Sequence, residues 1–171
     1  MATCTEVLAE FALKQKSESP PKSVLEKVKL LILDGVGLAL AAAREDFAQK
    51  TMKAMRVFGQ GSEATVVGFK DKLPVTSAPL LNGMLIHAFD FDDTHHPLVI
   101  HKTNDGKVYE ERQHIHPGHV ENPVSAADVH EKYRYNALRL VSQEKAETLM
   151  KQILSIEQLS NMRELTQELR F

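Results

Sequence analysis

Several features are scarce in this sequence, and each scarcity excludes a class of protein. A single cysteine, Cys4, stands among 171 residues, so no internal disulfide can form and a reducing compartment is favoured. No apolar run reaches the ~18 residues that span a bilayer, because Asp34 and two glycines interrupt the longest one. The first residues lack the basic and apolar segments of a secretory signal. We therefore expect no membrane partner and a cytoplasmic location, with the mitochondrion left open.

An excess of positive charge is also missing. The chain has 21 Lys and Arg against 23 Asp and Glu, which gives a formal net charge of -2. Such a balance produces no basic field that would attract nucleic acid, so no nucleic-acid partner is predicted. The hydrophobic fraction of 43% is enough for a buried core. The length fits one domain, or one domain with a small appendage.

Apolar periodicity of the helical type dominates the sequence. It predicts helices over residues 3–16, 23–43, 45–58 and 77–89, then from Ser125, from Ser142 and at the end of the chain. The first of these carries its large apolar residues on one stripe, formed by Val7, Leu8, Phe11 and Leu13. The second is apolar on more than one side, which predicts burial among other helices. Its Gly35 and Gly37 permit close approach of another backbone.

Two short segments favour β structure instead. Residues 64–68 predict a short strand, and Asp105-Gly106 between two alternating runs predicts a β-hairpin. Ser125, with Asp128 three residues later, predicts a capping box at a helix start. The predicted fold class is therefore mainly α with one small β-hairpin.

The stretch HAFDFDDTHHPLVIH, from His87 to His101, concentrates polar chemistry in three aspartates, one threonine and four histidines. Its DFDDT segment, Asp90 to Thr94, matches the nucleophile pattern of haloacid-dehalogenase-type phosphatases. That chemistry requires a preceding parallel strand, and the sequence shows no βαβ alternation. The phosphatase interpretation is therefore disfavoured.

A metal site formed by His95, His96, His101 and the aspartates of the stretch is a second interpretation. Zinc ligands must converge, whereas adjacent histidines tend to point apart and Pro97 disfavours a helix around them. A third interpretation is acid/base chemistry on a small anionic substrate, with carboxylate, hydroxyl and imidazole groups close together. The plainest interpretation is a polar exit from a helix, whose aspartates cap nearby backbone. Spacing alone leaves the last two open.

The residues around this stretch resemble the MmgE/PrpD family. LLNGMLIHAFDFDDTHHPLVIH is similar to the family's motif helix, and VKLLILDGVGLALAAA is similar to an early buried helix. GSEATVVGFKDKLPVTSAPLLNG resembles the loop before the motif. DGKVYEERQHIHPGHVENPVSAADVHEKYRYNA resembles a late segment of the family. The family comprises lyases and isomerases of the 2-methylcitrate dehydratase, cis-aconitate decarboxylase and iminodisuccinate epimerase types.

The resemblance implies a large helical domain, a smaller α/β lid and a cleft between them that holds the site. It implies Asp90, Thr94 and His101 as catalytic residues, acting by acid/base chemistry and by binding a small polycarboxylate. Neither a metal nor another cofactor is implied. Asp92 and Asp93 are expected to be structural, through capping or pairing.

The sequence departs from the family in one respect. His101 runs directly into KTNDG, which resembles the late segment, so the family's central region is missing. We expect three parts: 1–98 as the N-terminal part of the helical domain, 99–121 as a hairpin and loop remnant of the lid, and 122–171 as C-terminal helices that pack back on the helical domain.

Two functions are therefore predicted as alternatives. The first is a metal-free lyase or isomerase of the dehydratase or decarboxylase type, acting on small di- or tricarboxylic acids and impaired by the missing region. The second is a catalytically silent, truncated helical fragment that acts by interaction or self-association. Because few elements remain to cover the apolar helix at 23–43, exposed apolar patches and a homo-oligomer are expected.

Overall fold

A computed structural model of the chain describes residues 3–17, 20–58, 61–89, 98–112, 117–119 and 121–171. Within those ranges the backbone alone is described at 15–17, 58, 98–101 and 111–112. The elements in chain order are α1 (Cys4–Ser17), α2 (Lys22–Ala42), α3 (Asp46–Phe58), α4 (Ala78–His87), β1 (Leu98–Lys102), β2 (Val108–Arg112), α5 (Ala126–Ala137), α6 (Gln143–Leu154), a short 3-10 helix (Ile156–Gln158) and α7 (Met162–Glu168). The mainly α class with a single small hairpin is confirmed.

Helix α2 is the centre of the fold, with a hydrophobic core on each side of it. On one side Ala39 and Ala42 pack with α3, the 64–73 segment and α4. On the other side Leu33 and Leu40 pack with α5, α6 and α7. The alternation of small and large residues in the second half of α2 lets both sides approach closely, and this half of the helix is buried.

Helices α2 and α5 approach each other closely at Gly37. A Cβ added at Gly37 would lie 3.1 Å from Cδ2 of Tyr133 and 3.2 Å from its Cα. The Tyr133 ring is fully buried, and its hydroxyl donates a hydrogen bond of 3.1 Å to the carbonyl of Ala146 in α6. Burial raises the pKa of this hydroxyl. The expectation that Gly37 permits close approach is confirmed, and the contact joins α2, α5 and α6.

The first half of α2 differs from the sequence prediction. Burial on all sides was expected, but Val24, Val28 and Leu31 are exposed on one face. Because these residues stand four and three positions apart, they form a continuous apolar stripe. The described elements leave this face of the first half of α2 uncovered, although Lys29 on another side of the helix is buried. The expectation of an exposed apolar patch is thus confirmed for the first half of the helix.

Helix α1 has no described element over it, since every side chain from residue 3 to residue 14 is exposed. The predicted stripe of four apolar residues is wrong at one position. Leu13 follows Phe11 by two residues and therefore lies about 200° around the helix from it. Val7, Leu8 and Phe11 form the stripe, and Leu13 lies on the opposite side.

The strand predicted at 64–68 is replaced by an isolated antiparallel bridge between Ala64 and Leu73. The backbone of this segment finds a different partner. The amide group of Asn82 in α4 accepts a hydrogen bond from the N–H of Val67 and donates one to the carbonyl of Thr65. Gly68 then takes a left-handed conformation, with φ of 78°, which ends the extended segment.

The predicted hairpin and capping box are both confirmed. Strands β1 and β2 pair antiparallel around the turn that contains Asp105 and Gly106, where Gly106 has φ of 83°. Ser125 Oγ accepts from the N–H of Asp128, and the Asp128 carboxylate accepts from the N–H of Ser125. The Ser125 hydroxyl also donates to the Asp128 carboxylate, and this hydrogen bond, together with the one from the Ser125 N–H, lowers the pKa of the Asp128 carboxyl.

One buried cation fastens α2 to the C-terminal part of the chain. The Lys29 ammonium lies 2.6 Å from the Glu157 carboxylate in the 3-10 helix and 3.1 Å from that of Glu26. The hydrogen bond to Glu157 raises the pKa of Lys29, and the same bond lowers the pKa of Glu157. Lys29 is buried although both carboxylates are half-exposed, so its charge depends on these partners.

In the part of the chain that the structure describes, no helix is long and apolar enough to cross a bilayer. The cytoplasmic location stays a prediction.

Glycine replacements test the close approach of α2 and α5. Gly37→Ala is expected to lower the free energy of unfolding by about 1–3 kcal/mol, because the added methyl meets the Tyr133 backbone. Gly83→Ala in α4 is the matched control, since no described atom lies within 4 Å of its Cβ position. That control should raise stability by up to about 1 kcal/mol through helix propensity. Urea unfolding of both variants measures the difference, and equal effects would contradict the packing role of Gly37.

The pair of Lys29 and Glu157 predicts a pH dependence. The pKa of Glu157 is lower in the folded chain than its ordinary value of 4.5, so its stabilising contribution is present above that value. The contribution is lost as the pH falls through the lowered pKa. Glu157→Gln is expected to lower the melting temperature at pH 7 and to flatten its decline on acidification. Glu144→Gln, on exposed surface of α6, is the control, and thermal melts from neutral to acid pH compare the two. The same pH profile in wild type and Glu157→Gln would contradict the role of this pair.

Candidate active site

The polar stretch that begins at Asp90 follows directly from a firmly packed helix. In α4, Leu81 and Leu85 are fully buried in the core that α2 and α3 share with it. Pro79 stands in the first turn, where its missing N–H removes no helical hydrogen bond. Ile86 lies against α2, 3.7 Å from the position of a Cβ at Gly35. The packing of α4 therefore fixes the position of the backbone just before the polar stretch.

Asn82 fixes α4 relative to the segment before it. Its Oδ1 accepts from Val67 N at 2.9 Å, and its Nδ2 donates to Thr65 O at 3.0 Å. Both backbone groups would lack a strand partner otherwise, so a single side chain satisfies the two of them. The sequence analysis included Asn82 in the segment that resembles the family's motif helix, but it did not identify this positioning role. An Asn in the middle of a predicted apolar helix was the available signal, because such a residue usually makes a specific hydrogen bond.

Phe89, the last described residue before the polar stretch, is contacted by Arg139 from the C-terminal part of the chain. The Arg139 guanidinium, just after α5, lies 5.1 Å from the centroid of the Phe89 ring. Its Nη2 also lies 2.9 Å from the Glu45 carboxylate, between α2 and α3. Phe89 packs against the first core. The start of the stretch is thus fixed by an aromatic ring, a cation and a carboxylate from three parts of the sequence.

The three predicted catalytic residues are described to different extents. Asp90 and Thr94 lie outside the described residues, as do Asp92, Asp93, His95 and His96. His101 lies in β1, where its backbone pairs with Tyr109 of β2. Their assembly into one site stays a prediction. Among the residues that the structure describes, no three His, Cys, Asp or Glu side chains are grouped to hold a metal ion.

A cavity of about 440 Å³ lies between α2, the start of α5 and the loop before α5. Apolar side chains including Leu30 and Val129 line it together with charged ones. Nζ of Lys132 lies 3.0 Å from Oδ1 and 3.1 Å from Oδ2 of Asp34, and the contact to Oδ2 has hydrogen-bond geometry. Lys27 also lines the cavity. Sequence analysis did not predict this cavity, because its wall joins residues about a hundred positions apart.

The loop beside the cavity contains the Gly-His-x-x-Asn-Pro pattern of the late segment. Gly118 and His119 form its described start, and His119 makes an isolated antiparallel bridge with Asn122. Nδ1 of His119 accepts a hydrogen bond of 3.2 Å from the N–H of Glu121. This hydrogen bond shapes a tight turn, so the pattern has a structural role at this position.

A family model described as the MmgE/PrpD N-terminal domain matches residues 6–106, which is more than half of the 171 residues. The chain belongs to the MmgE/PrpD family. The match runs from the first turn of α1 through β1, and it includes Asp90, Thr94 and His101. It ends at residue 106, so the likeness of the following segment to a late part of the family stays a prediction.

Relatives of known activity match the same part of the chain. The cis-aconitate decarboxylase of Aspergillus terreus is 30% identical over 100 residues, which cover 58% of this chain and 20% of that protein. That of Mus musculus is 32% identical over 98 residues, covering 57% and 20%. That of Homo sapiens is 33% identical over 75 residues, covering 43% and 16%. The match thus spans a fifth or less of the length of these relatives. No solved structure matches the chain.

The Asn82 hydrogen bonds predict a loss of stability on substitution. Asn82→Ala is expected to lower the free energy of unfolding by about 1–3 kcal/mol, because it leaves two backbone groups of the 64–68 segment without a partner. Asn104→Ala in the exposed hairpin turn is the control and should change it by at most about 0.5 kcal/mol. Chemical denaturation measures both, and hydrogen exchange at Val67 tests the local effect. Unchanged protection of the Val67 amide in Asn82→Ala would contradict this assignment.

Proposed function

We propose that this chain carries one wall of a site for small di- or tricarboxylic acids, of the cis-aconitate decarboxylase or dehydratase type. Membership in the MmgE/PrpD family supports the proposal, since the matched range contains Asp90, Thr94 and His101. The observation that supports it most directly is that the relatives matching the N-terminal part of the chain are named cis-aconitate decarboxylases. The named activity is that of the relatives, and for this chain it is our proposal.

The proposed chemistry is proton transfer without a metal ion. Loss of carbon dioxide from a carboxylate breaks a carbon–carbon bond and leaves its electron pair on the substrate, where a proton must replace the lost group. Asp90 and His101 are the proposed acid/base groups, because carboxylate and imidazole can exchange protons near neutral pH. Thr94 is proposed to donate a hydrogen bond to a substrate carboxylate. Asp92 and Asp93 are proposed to cap or pair with neighbouring groups.

A polycarboxylate also needs cations, since burying its charges unpaired is costly. Arg139 lies at the base of the stretch through its contact with Phe89. It is already paired with Glu45, and it therefore serves to position the stretch. The proposal consequently places part of the substrate-binding charge on residues outside this wall, and we expect weak activity from this chain alone.

The alternative is a catalytically silent helical fragment that acts by interaction or self-association. A specific observation favours it. The apolar faces of α1 and of the first half of α2 are exposed, with Phe11 and Leu31 each more than half accessible. Exposed apolar surface of this kind is typical of surfaces that bind another protein. The two proposals make opposite predictions for turnover.

Turnover of candidate acids distinguishes the two. The purified chain is incubated with cis-aconitate and with 2-methylcitrate, and product is followed by NMR. Slow turnover is expected, with a loss of at least about a hundredfold in Asp90→Asn and in His101→Ala, because each removes a proton-transfer group. Asp71→Asn, on exposed surface, is the matched control and should retain the wild-type rate.

No turnover of either acid by well-folded wild-type chain would contradict the carboxylic-acid proposal for this chain and support the silent fragment. Equal rates in Asp90→Asn and Asp71→Asn would contradict the assignment of Asp90. Far-UV circular dichroism on each variant separates loss of chemistry from loss of fold.

A further inference from the structure

The cavity between α2 and α5 lies beside the contact that joins the two helices. Gly37 and Tyr133 meet at that contact. Leu30 and Val129, which line the cavity, stand about two turns before Gly37 and about one turn before Tyr133. The volume of about 440 Å³ falls in the range of about 300–1,000 Å³ that is typical of small-molecule sites. The cavity is therefore large enough for a small organic ligand.

The lining of the cavity divides into an apolar inner part and a polar opening. Leu30, Val124 and Val129 are half-buried and form the inner part. Lys27 and Asp128 also line the cavity, but they are exposed and mark the side that faces solvent. In such a site a few polar groups fix the orientation of a ligand while apolar side chains bury its body. The lining therefore fits a ligand with an apolar body and one polar end.

The charges around the opening determine the sign of that polar end. Lys132 is paired with Asp34. Oδ2 of Asp128 accepts hydrogen bonds of 2.9 Å from the N–H and 2.6 Å from the hydroxyl of Ser125. Lys27, in contrast, forms no ion pair with any residue that the structure describes, and no carboxylate stands three or four positions from it on α2. Its ammonium group is therefore the one that can bind an anion.

The same lining limits the anion to a single negative charge. Asp34 and Asp128 both contribute carboxylates to the cavity. The hydrogen bonds from the Ser125 hydroxyl and N–H lower the pKa of Asp128, so this group is ionised at neutral pH. A second carboxylate on the ligand would lie near these like charges or against apolar side chains, and both positions are unfavourable.

We propose that the cavity binds an amphipathic monocarboxylate, a small acid whose aliphatic body packs against Leu30, Val124 and Val129 and whose carboxylate pairs with Lys27. The proposal does not depend on the carboxylic-acid turnover proposed above, because the wall of that site begins at Asp90 and the cavity residues take no part in it. Binding at the cavity is measured without turnover, so either proposal can fail alone.

A series of ligands with matched chains tests the class of the ligand. Hexanoate is titrated into the full, isotope-labelled chain, and the amide shifts in NMR spectra give the dissociation constant. Butanoate is two methylene groups shorter and should bind about fifteenfold more weakly, since each buried methylene contributes about fourfold. Adipate has the same six carbons with a second carboxylate, and it should bind at least about fivefold more weakly than hexanoate.

A matched pair of lysine variants tests the position of the carboxylate. Lys27→Gln keeps most of the side chain and removes its charge, so it should weaken hexanoate binding about twofold to fivefold, as expected for an exposed ion pair. Lys22→Gln is the control, because Lys22 is exposed on the same helix and does not line the cavity. Hexanamide, which carries no charge, should bind equally to Lys27→Gln and to the wild-type chain.

A larger side chain at Val124 tests the position of the apolar body. Val124 lies in the loop before α5 and lines the cavity, so the ring of Val124→Phe would occupy part of the volume. This variant is expected to bind hexanoate at least about tenfold more weakly. Circular dichroism checks its folding, and if it does not fold, the lysine pair and the ligand series still decide the outcome.

The proposal is overturned if hexanoate at millimolar concentrations does not bind the folded wild-type chain, or if its amide shifts lie away from Lys27 and Val129. Adipate binding as tight as that of hexanoate would contradict the limit to a single negative charge. Equal affinities of Lys27→Gln and Lys22→Gln for hexanoate would contradict the pairing of the carboxylate with Lys27.

Discussion

The contact between Gly37 and Tyr133 is the constraint on which the rest of the structure depends. It sets the separation of α2 and α5, and the Tyr133 hydroxyl extends the contact to α6. Any side chain at Gly37 would meet the backbone of α5, which cannot rotate away. With α5 on one side of α2, helix α4 packs on the other side. The position of α4 in turn determines where the family motif begins.

The start of the motif is therefore held by residues far from it in sequence. Asn82 ties α4 to the 64–68 segment, and Arg139 holds Phe89 from beyond α5. In the proposed function, substitution of either residue would lower activity without any direct contact between that residue and the substrate. Displacing a reactive group by about 1 Å can cost two orders of magnitude in rate. In the proposed function, the helical body would hold the start of the motif in position for the residues that follow it.

Local signals in the sequence predicted local structure well. The capping box of Ser125 and the turn at Gly106 depend on neighbours within four residues, and both are confirmed. The strand expected at 64–68 was wrong because its backbone partner is Asn82, which no local pattern reveals. An exposed apolar patch was expected on α2, but the sequence did not show that Val28 would lie in it, since burial depends on which elements pack there. Family resemblance identified the motif residues, but apolar periodicity carries no information about how Asp90, Thr94 and His101 meet.

The segment between Phe89 and Ser125 begins and ends at the same helical body, which is formed by α2 to α7. The backbone N–H of Gly68 donates to the carbonyl of Leu169, and Arg170 binds the carbonyl of Lys70, so the last turn closes on the first core. The chain therefore leaves the helical body after Phe89 and rejoins it at Ser125, and the positions of both residues are fixed by packing or hydrogen bonds. The entropy of closing such a loop grows only with the logarithm of its length, about 0.6 kcal/mol for each doubling. With both of its ends held in this way, a longer or shorter segment would change the stability of the helical body only slightly.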